Sequence, residues 1–516
     1  MSLFWKKLRQ KREKAIERQV AQWNSSLEEG KVKPTLEENL EAMQSLFADV
    51  DLLRYKMIQS EIIKPMRYLL IFCDGIVDSE IINVNIVRPL MSIPPQSGVP
   101  IEESLVNDVI HVGEIKTTDS FQNVIESVTY GDSILFAEGS GQAIIMSTKN
   151  FSLRSIAEPD SEKSLVGPRE GFTESLTRNL SQVMRRLRTH ELKCKMLTMG
   201  RRTKTTVCVT YLDSMVKHEL LDELMRRLSK IDIDGVLDSN YITELIRDHP
   251  GSPFRTIGYT ERPDSVVGKL LEGRIAIFVD GSPMVITAPY LFIENFQSSE
   301  DYYLNSYYTS FARFLRICAF LLTVLVPGLY VAVVAFHQEM LPLQLLIRIA
   351  LERQSVPLPA AVEAVVMLVV FDVLRETGIR MPSNIGQALS IVGALVIGQA
   401  AVEASLVAAP MIIVVAATGI TGLLVPRLNA PIILFRIIIL LMSSAFGFFG
   451  LTISFSLMLI HIYNLTSLGI DQVAMAGNFR AQTNKDIIIR APWKAMLRRP
   501  PQLTDNTVRQ KEERDG

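Results

Sequence analysis

Two polar side chains, Gln399 and Glu403, interrupt the otherwise apolar run SIVGALVIGQAAVEASL at 390–406. A carboxylate exposed to hydrocarbon costs several kcal/mol, so such groups usually face a bundle interior or water. On a helix, Ser390, Ala394, Gly398, Ala401 and Ser405 share one face. All are small, which lets a neighbouring helix approach closely. The opposite face carries Val392, Leu395, Gln399, Val402 and Glu403, apolar in its first half and polar in its second. A polar wall that follows an apolar ring suits a channel gated by dewetting. Position alone also allows a blander reading, in which Glu403 closes a turn at the interface and Gln399 bonds to another helix. Two further acids, Glu363 and Asp372, stand in the apolar stretch near 359–374.

Signals for enzyme chemistry are thin. The six histidines form neither HExxH nor a paired metal spacing. No Walker A, GxGxxG or GxSxG pattern occurs. Asp74, Asp78 and Glu80 in CDGIVDSE read as a turn and a helix start rather than a metal site. Gly139-Ser140-Gly141 reads as a hairpin turn rather than a phosphate loop, because no helix pattern follows it. No catalytic residue, metal or cofactor is expected. The scattered Cys73, Cys194, Cys208 and Cys318 make no disulfide framework, which fits a reducing compartment. A formal net charge of −1 argues against nucleic acid as a partner.

The elements that must position these residues divide sharply. Mean hydropathy is only +0.21, an average over unlike parts. Residues 1–35 form a charged arm whose start, MSLFWKKLRQKREK, has no apolar core of a signal peptide. Residues 36–165 and 166–300 read as two α/β units of a soluble head. In the first, LEENLEAMQSLFAD predicts a helix, MRYLLIFC a strand, and GDSILFAEGSGQAIIMST a hairpin. In the second, GFTESLTRNLSQVMRRLRTHEL predicts an amphipathic helix capped by Thr173, TTVCVTYL a strand, and SMVKHELLDELMRRLSKI a helix. GRIAIFVDGSPMVITAP predicts two strands around an Asp280-Gly281 turn. Alternating helices and strands imply sheets covered by helices on at least one face.

Residues 311–463 are a helical membrane domain and 464–516 a basic tail. Spans are expected at 314–336, 386–406 and 407–425. The run 431–463 is either one long tilted helix or two broken at GFFG. The stretch 359–374 is short for a crossing, which predicts interfacial or re-entrant helices. Basic residues such as those of RAPWKAMLRR at 490–499 place the tail inside the cell. The head has no export signal, so the number of crossings is even. Four is the expectation; six follows if 359–374 and a split 431–463 both cross.

The chain resembles the A subunit of GerA-family spore germinant receptors. The resemblance runs from about residue 55 to 500. It is carried by FCDGIVDSEIINVNIVRPL, GPREGFTESLTRNLSQVMRRLR, SPFRTIGYTERPD, GRIAIFVDGSPMVITAPYLF, QSSEDYY, VPLPAAVEAVVMLVVFDVLRETGIRMPSNIGQALSIVGALVIGQAAVEASLV and DIIIRAPWKAMLRRP. It implies a protein of the spore inner membrane, with head and tail on the core side. The implied partners are a transporter-like B subunit that holds the nutrient and a lipoprotein C subunit. It also implies a homo-oligomeric ring, a pentamer, forming an ion channel that nutrients open. The helix matching 386–406 would line the pore, with Leu395 at the constriction. The head would be two subdomains related to substrate-binding-protein folds. The chain departs from the family pattern at Gly393-Ala394, where many members have two glycines, and at Leu368, where many have Glu. The N-terminal arm is not covered.

The reading that follows is the A subunit of a nutrient-gated channel. Alternatives are a paralogous accessory channel that amplifies germination, a secondary transporter, and a tethered enzyme. The transporter is disfavoured by the lack of an internal repeat, and the enzyme by the absent catalytic motifs.

Overall fold

The structure, a computed structural model, describes residues 30–60, 66–94, 99–149, 162, 164–380, 393, 396–473 and 486–509. Residues 1–29 of the charged arm lie outside it, as do Ser390, Val392, Ala394 and Leu395. The chain falls into two compact units. The first comprises Met1–Arg247, Ile257–Pro289 and Leu497–Gly516; the second comprises Asp248–Thr256 and Tyr290–Met496.

The first unit is built on two five-stranded sheets. Strands β1 (Leu53–Ser60), β2 (Met66–Cys73), β3 (Ile115–Thr118), β4 (Ser133–Ala137) and β5 (Ala143–Met146) lie in the order β1-β2-β4-β5-β3. Strands β6 (Leu192–Met199), β7 (Thr205–Leu212), β8 (Gly258–Thr260), β9 (Ile275–Val279) and β10 (Val285–Ala288) lie in the order β6-β7-β9-β10-β8. The second order is the first one repeated, and each pairing with a resolved register is antiparallel. The head is therefore α+β, with one topology used twice.

Side-chain alternation explains why the first sheet is buried on both sides. Along β2, Leu69, Ile71 and Cys73 enter one core while Tyr68 and Leu70 enter another. The first core is continuous with the second sheet through Cys194, Cys208 and Phe278. Backbone bonds join the sheets too: Asp51 N donates to Cys194 O, and Cys194 N to Asp49 O. The Gly139 and Gly281 hairpins form where the sequence predicts them. Both glycines have positive φ, 81° and 87°, which a Cβ would strain.

The helix of GFTESLTRNL starts later than expected. It spans Leu176–Arg186, with Ser175, not Thr173, at the N-cap position. The Thr173 backbone N–H is instead bonded to the Asn179 side chain. The first turn is capped from the β9–β10 hairpin, where Asp280 Oδ1 accepts from Leu176 N at 3.2 Å. Asp78 does cap a helix start, accepting from the Glu80 and Ile81 amides.

The second unit is helical. Helix α1 (Ser306–Phe336) is long and apolar enough to cross a membrane, and so by length and composition is the stretch Pro426–Tyr463. The latter is not one straight rod. Gly447 has non-helical angles, φ 58° and ψ −136°, and the Phe435 and His461 rings lie 6.1 Å apart. In a straight helix, 26 residues would separate them by about 39 Å. The chain thus reverses at Gly447 into arms 429–446 and 448–463. The first arm advances beside α1. Ile432 shares a core with Phe320 and Val324, Ser443 lies against Gly328, and Gly447 lies against Phe336 and His337. The sequence left one helix or two open at GFFG; two are found.

Between α1 and this hairpin lie α2 (Leu343–Gln354), α3 (Ala360–Arg380), helical residues 396–403 and α4 (Ala409–Leu423). Helix α3 has 21 residues, longer than the apolar stretch 359–374, because it continues past that stretch through Arg375 and Glu376. It runs opposite to α1. Ala360 and Ala364 pack with Val331 near the end of α1, whereas Asp372 meets Arg436. Helix α4 also runs opposite to α1, with Thr323 bonded to Thr421 at 2.7 Å. It has 15 residues, fewer than the 407–425 span expected. The tail does not stay one segment: 464–473 and 486–496 belong to the helical unit and 497–509 to the first unit.

Candidate functional site

Helical residues 396–403 put small groups inward and polar groups outward. Gly398 and Ala401 are buried, whereas Gln399, Ala400 and Glu403 are exposed and Val402 is half-buried. A Cβ on Gly398 would lie 3.9 Å from Ile412 of α4, so this is the face that packs. Gln399 Nε2 donates to Glu403 Oε1 at 2.9 Å, an i,i+4 pair on the open face. Ser405 does not continue the small stripe. The helix ends before it, and Ser405 takes φ 54° in the turn. That turn is closed by Ser405 N to Val402 O and by Leu406 N to Ala401 O, both 2.9 Å.

Each intramembrane acid expected from the sequence has a basic partner. Glu363 is fully buried. It accepts from Ala408 N at 2.5 Å and from Arg353 Nη1 at 3.3 Å. Ala408 is the N-cap residue of α4, so the carboxylate sits at a helix N-terminus, where negative charge is favoured. Asp372 accepts from Arg436 Nη2 at 2.6 Å and lies 3.5 Å from Arg375. Burying a single charge in this apolar unit would cost several kcal/mol; pairing offsets most of it. The acids are thus not brought to the face of Gln399 and Glu403. They tie α3 to α2, to α4 and to the first hairpin arm.

Sequence reasoning overlooked Arg353 and Arg436. The signal was present: a lone Arg in LFRIII is as costly as a lone Asp, and each calls for the other. It also overlooked a third cluster. Asp301, from QSSEDYY, accepts from Arg313 Nε at 2.8 Å and from Arg316 Nη1 at 3.0 Å. Arg313 Nη1 also reaches Asp486 Oδ1 at 2.8 Å, and Tyr302 donates to Asp486 Oδ2 at 2.9 Å. Two segments far apart in sequence, QSSEDYY and DIIIRAPW, meet at the start of α1.

The description Bacillus/Clostridium GerA spore germination protein matches residues 41–502. The chain is similar to Spore germination protein KA of Bacillus subtilis, 40% identical over 85% of this chain and 81% of that protein. It is similar to Spore germination protein GerLA of Bacillus cereus, 35% identical over 86% of this chain and 92% of that one. It is 38% identical to the Bacillus subtilis Uncharacterized membrane protein YfkQ over 95% of each chain. Among solved structures, it is similar to the N-terminal domain of the A subunit of the Bacillus megaterium spore germinant receptor GerK3. That likeness has a TM-score of 0.39 and 30% identity, and covers 51% of this chain and 98% of the other.

Proposed function

Because the chain belongs to the Bacillus/Clostridium GerA family of spore germination proteins, we propose that it is the A subunit of a germinant receptor and that residues 386–406 line an ion pore. The observation that carries this reading is the open face of 396–403. Gln399 and Glu403 are exposed on a helix whose small face is already packed. An exposed carboxylate in an apolar unit is stable only against water or a polar partner, and a ring of copies around an aqueous axis supplies both. Leu395 lies one turn before Gln399 and would form the apolar constriction. A ring of five copies would bring five such helices to one axis.

The reversal at Gly447 and the length of α3 support six passes rather than four, and six keeps head and tail on the same side, the spore core. The B subunit would hold the nutrient and the C subunit complete the complex. Nutrient binding would favour the open ring over the closed one. The test is conductance of the full-length protein in liposomes, wild type beside Leu395→Ala and Glu403→Gln. A larger leak with Leu395→Ala and a changed ion preference with Glu403→Gln are expected. A leak in wild type that neither variant changes rules out 386–406 as the lining.

A further inference from the structure

The turn 404–408 joins the proposed pore helix to α4, and one buried side chain holds it. We infer that Glu363, itself held by Arg353, is the positioning residue that fixes the end of the pore helix, and that α2 is the element through which this end can be moved.

The inference rests on three contacts. Glu363 is fully buried on α3, and its two oxygens are divided between two tasks. Oε1 accepts from Ala408 N at 2.5 Å, and Oε2 accepts from Arg353 at 3.3 Å. The chain segment attached to Ala408 is short. Three residues earlier Ser405 takes a left-handed angle, and Leu406 and Val407 both donate back to Ala401 O. Displacing Ala408 therefore displaces Ala401 and, two residues away on either side, the exposed Gln399 and Glu403. Arg353 stands in the last turn of α2, a helix with little else fixing it. Among its described residues only Ile349 is buried, while Leu343, Leu345, Ile347 and Leu351 are exposed.

The energetics favour a coupled pair. A buried carboxylate with one charged partner loses several kcal/mol of compensation when that partner leaves. Withdrawal of α2 would strip Arg353 from Glu363. The remaining carboxylate would then be held by a single amide and would draw in water or a proton, loosening the turn. At the other end of α3, Asp372 and Arg436 hold the helix to the hairpin arm, so α3 itself stays in place. The movable part is the turn and not the strut beneath it.

This inference uses the pore reading only to say what the turn controls, and the experiment separates the two. In full-length protein lacking Cys318, Val407→Cys places a thiol at a buried position of the turn. The rate of maleimide labelling in detergent then reports on opening, beside potassium leak from liposomes. Glu363→Gln and Arg353→Gln are each expected to raise the labelling rate about fivefold or more. The double variant should exceed neither single by much, since both break one interaction. Arg353→Lys, which keeps the charge, should stay near wild type. Arg353 is partly exposed, so its variants test the idea even where Glu363→Gln fails to fold. Unchanged labelling in Arg353→Gln, or independent effects that multiply in the double variant, overturns the inference. Faster labelling with no change in leak upholds the latch and counts against the pore. Normal labelling with a Leu395→Ala leak upholds the pore and removes the latch.

Discussion

Arg313 and Asp301 form an ion pair with essentially no solvent contact, 2.8 Å apart, twelve residues apart in the chain and on either side of the N-cap of α1. Arg316 approaches the same carboxylate, and Asp486 supplies the second acid. Two acids and two guanidinium groups balance in charge, and they cluster beside the Asn305 cap where the long helix begins.

Removing Asp301 leaves Arg313 buried with half its compensation. Asp301→Asn is expected to destabilise the helical unit by about 3–5 kcal/mol, the usual cost of breaking a buried pair. Arg313→Lys should cost nearly as much, because an ammonium cannot span Asp301 and Asp486 as the planar fork does. Thermal unfolding of the full-length protein in detergent measures both. A melting temperature unchanged in Asp301→Asn would mean that the cluster adds nothing.

The reversal at Gly447 can be tested by chemistry at a distance. With the native cysteines replaced, Phe435→Cys and His461→Cys should be joined within one chain by a bis-maleimide about 10 Å long, because the two rings are neighbours and their backbones can still stand beyond direct disulfide reach. A straight helix holds those positions about 39 Å apart and gives no bond within one chain. Gly447→Val should lower the yield. A Cβ there would lie 2.8 Å from His337 Cε1, on a backbone with φ 58°.

The head carries a pH dependence of known sign. Burial lowers the pKa of His190 below the usual imidazole value, with Lys193 adding to the effect and Glu191 opposing it. A depressed folded pKa contributes stability that is present above about pH 6.5, the unfolded value. That stability is lost as the pH falls through the folded value. Melting of the full-length protein at pH 7.5 and at 5.5 should show a weaker head in acid. In His190→Gln the difference should narrow; an identical difference would assign the acid sensitivity elsewhere.

Much of the head was legible because its signals are local. Short continuous apolar runs such as MRYLLIFC and SILFA, with a glycine turn between DSILFAE and QAIIMST, declare strands and a hairpin without reference to the rest of the chain. The duplicated strand order was not legible. It depends on which strands pair, and strands β3 and β8, short and partly polar, carry no clear alternation of their own. The cap of Leu176 was misassigned for the same reason: its acceptor, Asp280, stands 104 residues away. In the helical unit, Gly398 and Ala401 are buried while Gln399 and Glu403 are exposed, the two groups that the helical wheel set on opposite faces. Ser405 lies beyond the end of that helix, where a wheel no longer applies. Arg436 stands out in the sequence as a lone charge in an apolar run, but which acid it meets does not, because ion pairs between helices follow packing rather than spacing.

A pair of helices joined through a single glycine has no polar linker to carry through oil. The arms of 429–446 and 448–463 meet at Phe446-Gly447-Phe448-Phe449, so the leading end of the hairpin is itself aromatic. Each arm alone is at the short limit for spanning hydrocarbon. In the six-pass arrangement proposed above, the two would enter the bilayer together, tip first, with Arg436 neutralised by Asp372 from the helix that precedes them. In that arrangement the charge pairing would set the order of insertion, with α3 in place before the hairpin settles.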